Sequence, residues 1–432
     1  MTNDYNANLL FISVTKLKMY SELFLASFKK YIGKPLVGFF LFFTVLGSSA
    51  YAQTFTVTSL LDDSGGATLR DAIVSVNGAS NNVIEFSVTG TITLTSDLDP
   101  IIFGVAINGP GADLLTIDGD GTYSIFQTTG INFSINNITL NGGLASLEGG
   151  AAISYGGSGI LDIDGVVFSN NASSGGGKLG GALQIKSGTA SIDGCYFVGN
   201  SHSCIGCDSG GAIYMAGNTT ITNSTFYNNQ GSRGGAITVD GSGVTLNLVH
   251  STISGNNADD NGGGIWAVNN ATVNLNYSIV HGNTTLGITP ADIDDDASLA
   301  SHYDADDGGT DTDNVVGVVS GTAILNAANV VDGSSNFTLA GTPTDNGGTG
   351  NTFVVSGTAA VNAGAIGTVT TDQTGATRTG SQTLGALEIN VDPVITRAST
   401  AETIQDGATL TFTGGTLISI ADDDVNAQTV TI

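Results

Sequence analysis

This chain is poor in the residues from which most folds and most active sites are built. Only 11% of its 432 residues are charged, and 11 Lys or Arg stand against 38 Asp or Glu, a formal net charge of −27. Such an acidic excess repels phosphate, which argues against nucleic acid and anionic lipid as partners. One Trp and three Met leave little material for an aromatic or Met-rich binding groove. Three Cys is an odd number, so one thiol stays outside any internal pair. No helical pattern of useful length follows residue 80, and no apolar run beyond the first 50 residues could cross a bilayer. What the chain has in quantity is glycine, 62 residues of it, as a turn-dense β protein requires.

It also has a period. Asn141, Asn171, Asn200, Asn229, Asn256 and Asn283 recur at gaps of 30, 29, 29, 27 and 27 residues, each three residues after an apolar one. Those apolar anchors are Ile138, Phe168, Phe197, Phe226, Ile253 and Val280. Gly-Gly pairs keep the same beat at 149–150, 180–181, 210–211, 234–235 and 262–263. A fixed period in this range marks a solenoid, whose repeats bury their faces only against their neighbours.

Between the anchors lie short alternating runs such as Thr220 to Phe226 and Ala190 to Phe197. Period-two alternation rich in Thr, Ile, Val and Phe predicts strands, about three per repeat. The fold class is therefore all-β, a parallel β-helix with three strands per coil and coils ~4.8 Å apart. The repeated asparagine reads as a structural turn residue whose amide bonds to the coils above and below. A sugar or metal ligand at six equivalent positions is the alternative. The Gly-Gly steps read as positive-φ corners. Asn136, Val166, Cys195, Ser224, Ser251 and Ser278, two residues before each anchor, are expected to form a small inner stack.

Lys29, Lys30 and Lys34 precede the apolar run Leu36 to Leu46, and Ala50-Tyr51-Ala52 follows. That order predicts a cleaved secretory signal, with a retained anchor as the alternative and Met19 as an alternative start. Residues 1–52 hold five basic and two acidic residues, so the mature chain has 11 − 5 = 6 against 38 − 2 = 36, a net −30. In an exported chain Cys204 and Cys207 are expected to close a local disulfide. A redox-active pair, or a zinc site with Cys195 and His202, are the alternatives. Cys195 is expected to be a buried small hydrophobe.

Ahead of the regular coils, Thr54 to Ser59 reads as a strand and Thr68 as the N-cap of a short helix that covers the open end of the solenoid. The segment Thr68-Leu69-Arg70-Asp71-Ala72-Ile73 resembles the SLREAI-type start of secreted bacterial β-helix proteins. Gly210-Gly211-Ala212-Ile213 with Phe226-Tyr227-Asn228-Asn229, and Gly180 to Leu183 with Phe197 to Asn200, resemble the repeats of the polymorphic outer-membrane-protein class of adhesins. Thr344 to Gly348, Ala359 to Gly364, Thr371 to Arg378 and Leu384 to Glu388 are similar to the choice-of-anchor domain that closes such β-helices. The resemblance implies a right-handed helix, in keeping with the twist of L-chains. It departs at Ile253 and Val280, which replace Phe, and no autotransporter-like barrel follows. After the linker Asp392-Pro393, residues 394–432 resemble the start of a cadherin-like or other β-sandwich repeat, too short to be complete. A continuation beyond residue 432 is expected to hold any anchor. The expected organisation is an extension and signal over 1–52, a cap over 53–82 and a β-helix over 83–340 with an acidic insertion at 291–314. A closing module over 341–388 and a partial sandwich over 389–432 complete it.

The acidic stretch offers the one metal candidate: Asp304, Asp306, Asp307, Asp311 and Asp313 could bind calcium through their carboxylates. The EF-hand pattern is not met, since Gly308 stands where a ligand belongs, and a solvated acidic loop is the plainer reading. No other cofactor motif appears. Polysaccharide hydrolases and lyases need paired carboxylates, or a base with a cation, on one face. Lys178, Lys186 and Arg233 are the only basic residues of the coils, and no nucleophile elbow, phosphate loop or His-Glu-x-x-His occurs. No catalytic residue is singled out. His250 and His281 read as surface or turn residues. The expected function is a secreted or cell-surface, non-enzymatic adhesin or extended binding scaffold. It would be monomeric and would meet an extracellular glycan or protein through loops 172–179, 201–209 and 257–261. A polysaccharide lyase or hydrolase and a structural stalk are the alternatives.

Overall fold

The computed structural model describes residues 52–78, 82–129, 132–145, 149–176, 179–204, 206–286 and 292–295. Beyond them it describes short segments between 303 and 421, chiefly 341–347, 349–353, 369–378 and 385–387. The signal expected over 1–52 lies outside the described residues except for Ala52. Among the described residues no helix is long and apolar enough to cross a membrane.

Among the described residues, successive coils pair only in parallel and wind right-handed, and they stack into three sheets. Sheet 1, with 17 strands, forms two columns that meet at a corner. Sheet 2 has eight strands, among them Ile153–Tyr155, Leu183–Ile185, Ile213–Met215, Ile237–Asp240 and Ile265–Val268. Sheet 3 has six short strands, among them Ala172–Ser174 and Ser201–Ser203. The alternation seen in the sequence sets which side chains enter the lumen. In Ile160–Ser169, Leu161, Ile163, Val166 and Phe168 are buried while Asp162 and Asp164 face out.

The solenoid begins before the periodic asparagines. Thr54–Val57 pairs in register with Asn82–Phe86, which pairs with Val105–Asn108 and then with Phe133–Asn141. Helix α1 (Leu69–Val76) connects the first two strands and buries Leu69, Ala72, Ile73 and Val76 in the common core. Thr68 caps it: its hydroxyl accepts from the Asp71 amide while the Asp71 carboxylate accepts from the Thr68 amide.

The interior is a set of side-chain ladders. Leu140, Phe168, Phe197, Phe226, Ile253 and Val280 stack in that order. The three phenyl rings lie parallel, with centroids 4.5 Å apart at each step. Beside them the hydroxyls of Ser224, Ser251 and Ser278 accept from the amides of Cys195, Ser224 and Ser251. The asparagines form a buried amide ladder. The main-chain and side-chain amides of Asn171, Asn200, Asn229 and Asn256 each donate to the Oδ1 of the next at 2.8–3.0 Å. Asn283 ends the row by donating both groups to Asp292 Oδ1.

Register corrects four expectations. Asn141 pairs with Ser169 and Ile138 with Val166, because Leu140 takes the position held by phenylalanine in the next coils. Gly143, not Asn141, occupies the ladder position of that coil, its amide donating to Asn171 Oδ1 at 2.9 Å. Asn136 accordingly lies outside the small inner stack and pairs with Asp164. The Gly-Gly steps are also more than left-handed corners. Gly181, Gly211 and Gly235 have no positive φ, but a Cβ on any of them would collide with the next coil's Gly211, Gly235 or Gly263 carbonyl oxygen.

Within the acidic stretch expected over 291–314, the described residues add strands to the coils, and residues 296–302 and 305–314 lie outside the described residues. Ile293–Asp295 joins sheet 2, and Tyr303–Asp304 and Val315–Val316 join sheet 1. Asp292 and Asp294 are buried because asparagine amides, from Asn283 and Asn261, supply the donors that their carboxylates need.

The described parts of 341–387 form a strap along the second column of sheet 1. Phe353 packs edge-on to Tyr227, Gln373 accepts from Thr225 Oγ1 at 2.7 Å, and the Ala386 amide donates to Thr252 Oγ1. Arg378, 4% exposed, donates to Asn223 Oδ1 and to the Gly385 carbonyl, joining strap to coil. Further on, Val394–Arg397 pairs antiparallel with Ile418–Ala421.

Candidate functional site

The outward side of sheet 2 carries the densest chemistry. Ser154, Gln184, Tyr214, Thr238, Trp266 and Asp294 follow one another in register on that side. All are buried, although they point away from the lumen. Two of the loops singled out in the sequence converge over them. Asp208, from 201–209, accepts from Arg233 at 2.9 Å and from the Trp266 indole at 3.3 Å. Asp260, from 257–261, accepts from the other side of the same guanidinium at 3.0 Å. That guanidinium lies over the Trp266 ring, 5.6 Å from its centroid, a cation–π contact. Beside it Tyr214 donates to Asp240, whose second oxygen accepts from Asn269. Burial, then Asp240, pushes the Tyr214 phenol well above its ordinary range. Arg233, Asp208 and Asp260 thus hold two loops on the sheet, and the tyrosine stays a neutral donor. Arg233 stands out in the sequence as one of few basic residues, but the cluster does not, since Asp208 and Trp266 meet across 58 residues.

Cys204 and Cys207 form a disulfide that closes the loop carrying Asp208. The zinc alternative does not assemble. Cys195 lies in the core of sheet 1, where burial raises its thiol far above the reactive range. His202 belongs to sheet 3, 1% exposed, with Nδ1 2.6 Å from Ser173 Oγ. That hydroxyl spends its proton on the Gly180 carbonyl, so Nδ1 carries the imidazole hydrogen and donates it. Nε2 is buried without a partner.

This predicts a pH effect. Desolvation lowers the His202 pKa to about 4 from its ordinary 6.5. The unfolded chain therefore binds the proton first, so stability is present above pH 6.5 and is lost as pH falls towards 4. The loss is about 3 kcal/mol on one group. Urea titrations from pH 7 to 4 should show the wild type losing that much more than His202→Gln. Parallel pH profiles would refute the assignment.

Outward on the first column of sheet 1, Asp162, Ser191, Thr220, Asn247 and Asn274 line up across five coils. A parallel row, Thr189, Asn218 and Thr245 to Thr272, flanks them, and all are exposed or half-exposed. Asp164 and Asp193 sit opposite each other in the row nearest the corner. Burial, then neighbouring carboxylates, raises both pKa values. His250 and His281 occupy different corners: His250 stacks on Tyr277 in the left-handed turn between the columns, and His281 follows the second column.

Of the calcium candidates, Asp304 lies in a strand of sheet 1, and Asp306, Asp307, Asp311 and Asp313 lie outside the described residues. Among the described residues no three His, Cys, Asp or Glu come together as a metal site. A groove of about 390 Å³ opens between the strap and the early coils, lined by Gly111, Ala112, Asp113, Asn137 and Val167 on one side and by Asp345 and Thr349 to Asn351 on the other.

No curated protein and no solved structure matches the chain. Residues 117–299, the stretch of regular coils with its amide and phenyl ladders, match the family described as the right handed beta helix region.

Proposed function

We propose that the protein is a secreted or cell-surface binding scaffold that holds an extracellular glycan on an extended face, without catalysis. One observation carries this reading. The charged groups clustered outside sheet 2 are engaged in holding loops, whereas the first column of sheet 1 presents an exposed to half-exposed array of Ser, Thr, Asn and Asp. Rows spaced ~4.8 Å apart offer hydroxyls and amides that both donate and accept, the complement of a polyhydroxylated chain laid across the coils. The strap covers the other column and leaves this one open to solvent. The export signal expected from the sequence and the resemblance to β-helix adhesins support an extracellular setting.

The test is retention on a panel of immobilised neutral and acidic glycans, with end-group release measured in the same samples. The expected result is retention of at least one glycan, lost in the double variant Thr220→Arg, Asn247→Arg, with no new ends formed. Release of reducing or unsaturated ends would replace this reading with a hydrolase or lyase. Neither retention nor release would leave a structural stalk.

A further inference from the structure

The groove between strap and coils has a chemistry of its own. We propose that it binds an amino sugar, a hexose ring carrying a primary ammonium. At about 390 Å³ it stands at the small end of organic-ligand sites and far exceeds the coordination shell of one metal ion. Its charged lining is Asp113 on one wall and Asp345 on the other, with no Lys, Arg or His among the lining residues. In a chain of net charge −27 that pair focuses a field that draws in cations.

The remaining lining suits hydroxyls and a ring. Asn137 Oδ1 and Thr349 Oγ1 converge over Gly165: a Cβ there would meet them at 2.9 and 3.2 Å. One oxygen comes from the coil and one from the strap, so the polar pair exists only when the strap is docked. Asn351 adds an amide, and Ala112 and Val167 supply an apolar patch for the C–H face of a sugar.

The walls are also fixed in place. Gly111 stands at φ 151°, where a Cβ would press on the Asp113 carboxylate at 2.8 Å, so glycine lets that side chain fold over its turn. Asp345 Oδ1 accepts from the Gly347 amide at 2.9 Å. The Thr349 carbonyl accepts from Gln373 Nε2 at 2.7 Å, and Gln373 is in turn held by Thr225. Pre-set walls reduce the ordering cost of binding.

This inference rests on the binding-scaffold reading, and the experiment separates the two. Calorimetric titration of the full chain compares D-glucosamine, D-glucose and cadaverine at neutral pH. Glucosamine should bind, and glucose, which lacks the charge, and cadaverine, which lacks the ring, should each bind about tenfold or more weakly. Asp113→Asn and Asp345→Asn should each weaken glucosamine by a similar factor without moving the melting temperature, and added NaCl should weaken it further. Equal binding of glucose, equal binding of cadaverine, or indifference to both substitutions would overturn the assignment. Retention of a glycan polymer that is lost in Thr220→Arg, Asn247→Arg but unchanged in both Asp variants would leave the scaffold standing without the groove. No binding of any sugar in either assay would overturn both.

Discussion

Phe197→Ala should lower the stability of the folded chain by about 3–5 kcal/mol, the range for truncating a buried phenylalanine. The Phe197 ring is sandwiched between Phe168 and Phe226, with centroids 4.5 Å away on each side and planes within 3° of parallel. Truncation removes ring contacts to both neighbours, not to one. The coils stack at the strand spacing set by their main-chain hydrogen bonds, so the neighbours cannot collapse into the space without breaking those bonds. Phe197→Leu keeps most of the volume and should cost much less. Chemical denaturation is the measurement, and because solenoids can unfold in segments, a broadened transition belongs to the same expectation. A melting curve for Phe197→Ala that overlays the wild type would show that the ring ladder carries no stability.

The legible part of this fold was the part in which local chemistry repeats. Phenylalanine three residues before asparagine marks a coil because both side chains stack on their own kind, and each repeat states that requirement again. The same rule misread Asn141, where a nine-residue strand, Phe133–Asn141, spans both columns and shifts the register by two. Coils earlier than that carry neither phenylalanine nor asparagine at the equivalent positions, so their strands looked irregular. Charge is a poor guide at Asp292 and Asp294, which are buried against asparagine donors 9 and 33 residues away.

Where the strap lies is not legible in the sequence. Arg378 reaches Asn223 across 155 residues, and no periodicity encodes a contact of that span. A signal did exist: Tyr196, Tyr227 and Ile279 put large apolar groups on the outward parity of sheet 1, where the first column puts Ser, Thr and Asn. Large apolar groups on an outward face ask for a cover. Likewise Tyr214 and Trp266, outward on sheet 2 yet buried, report the loops above them. The groove joins a turn near residue 112 to the strap near residue 350, and only the folded chain brings its two carboxylates to one site.

The amide ladder has a direction, and that direction yields the second large effect. Asn229 Oδ1 accepts two bonds from Asn200, while Asn229 Nδ2 donates to the Phe197 carbonyl and to Asn256 Oδ1. Every member inside the row must therefore accept on one side and donate on the other. Only the terminal position can be an acceptor alone, and there the chain places Asp292. Asn229→Asp should accordingly be far more harmful than its similar shape suggests. A carboxylate would still accept from Asn200 but would face two oxygens, in a site where the native residue is 1% exposed. A buried charge without a partner costs about 3–5 kcal/mol. Its folded-state pKa must rise above the ordinary ~3.9, so the variant's stability is fully present at low pH, where the carboxyl can donate one bond, and is lost as pH rises through the raised value. Asn229→Ala leaves the Asn200 amide and the Phe197 carbonyl unpaired, at about 1–3 kcal/mol each, with no pH dependence of its own. Denaturation of both variants at pH 5 and pH 8, each referenced to wild type at the same pH, separates the cases. The Asn229→Asp deficit should grow with pH while the Asn229→Ala deficit stays level; if the two run in parallel, the ladder has no polarity that matters to folding.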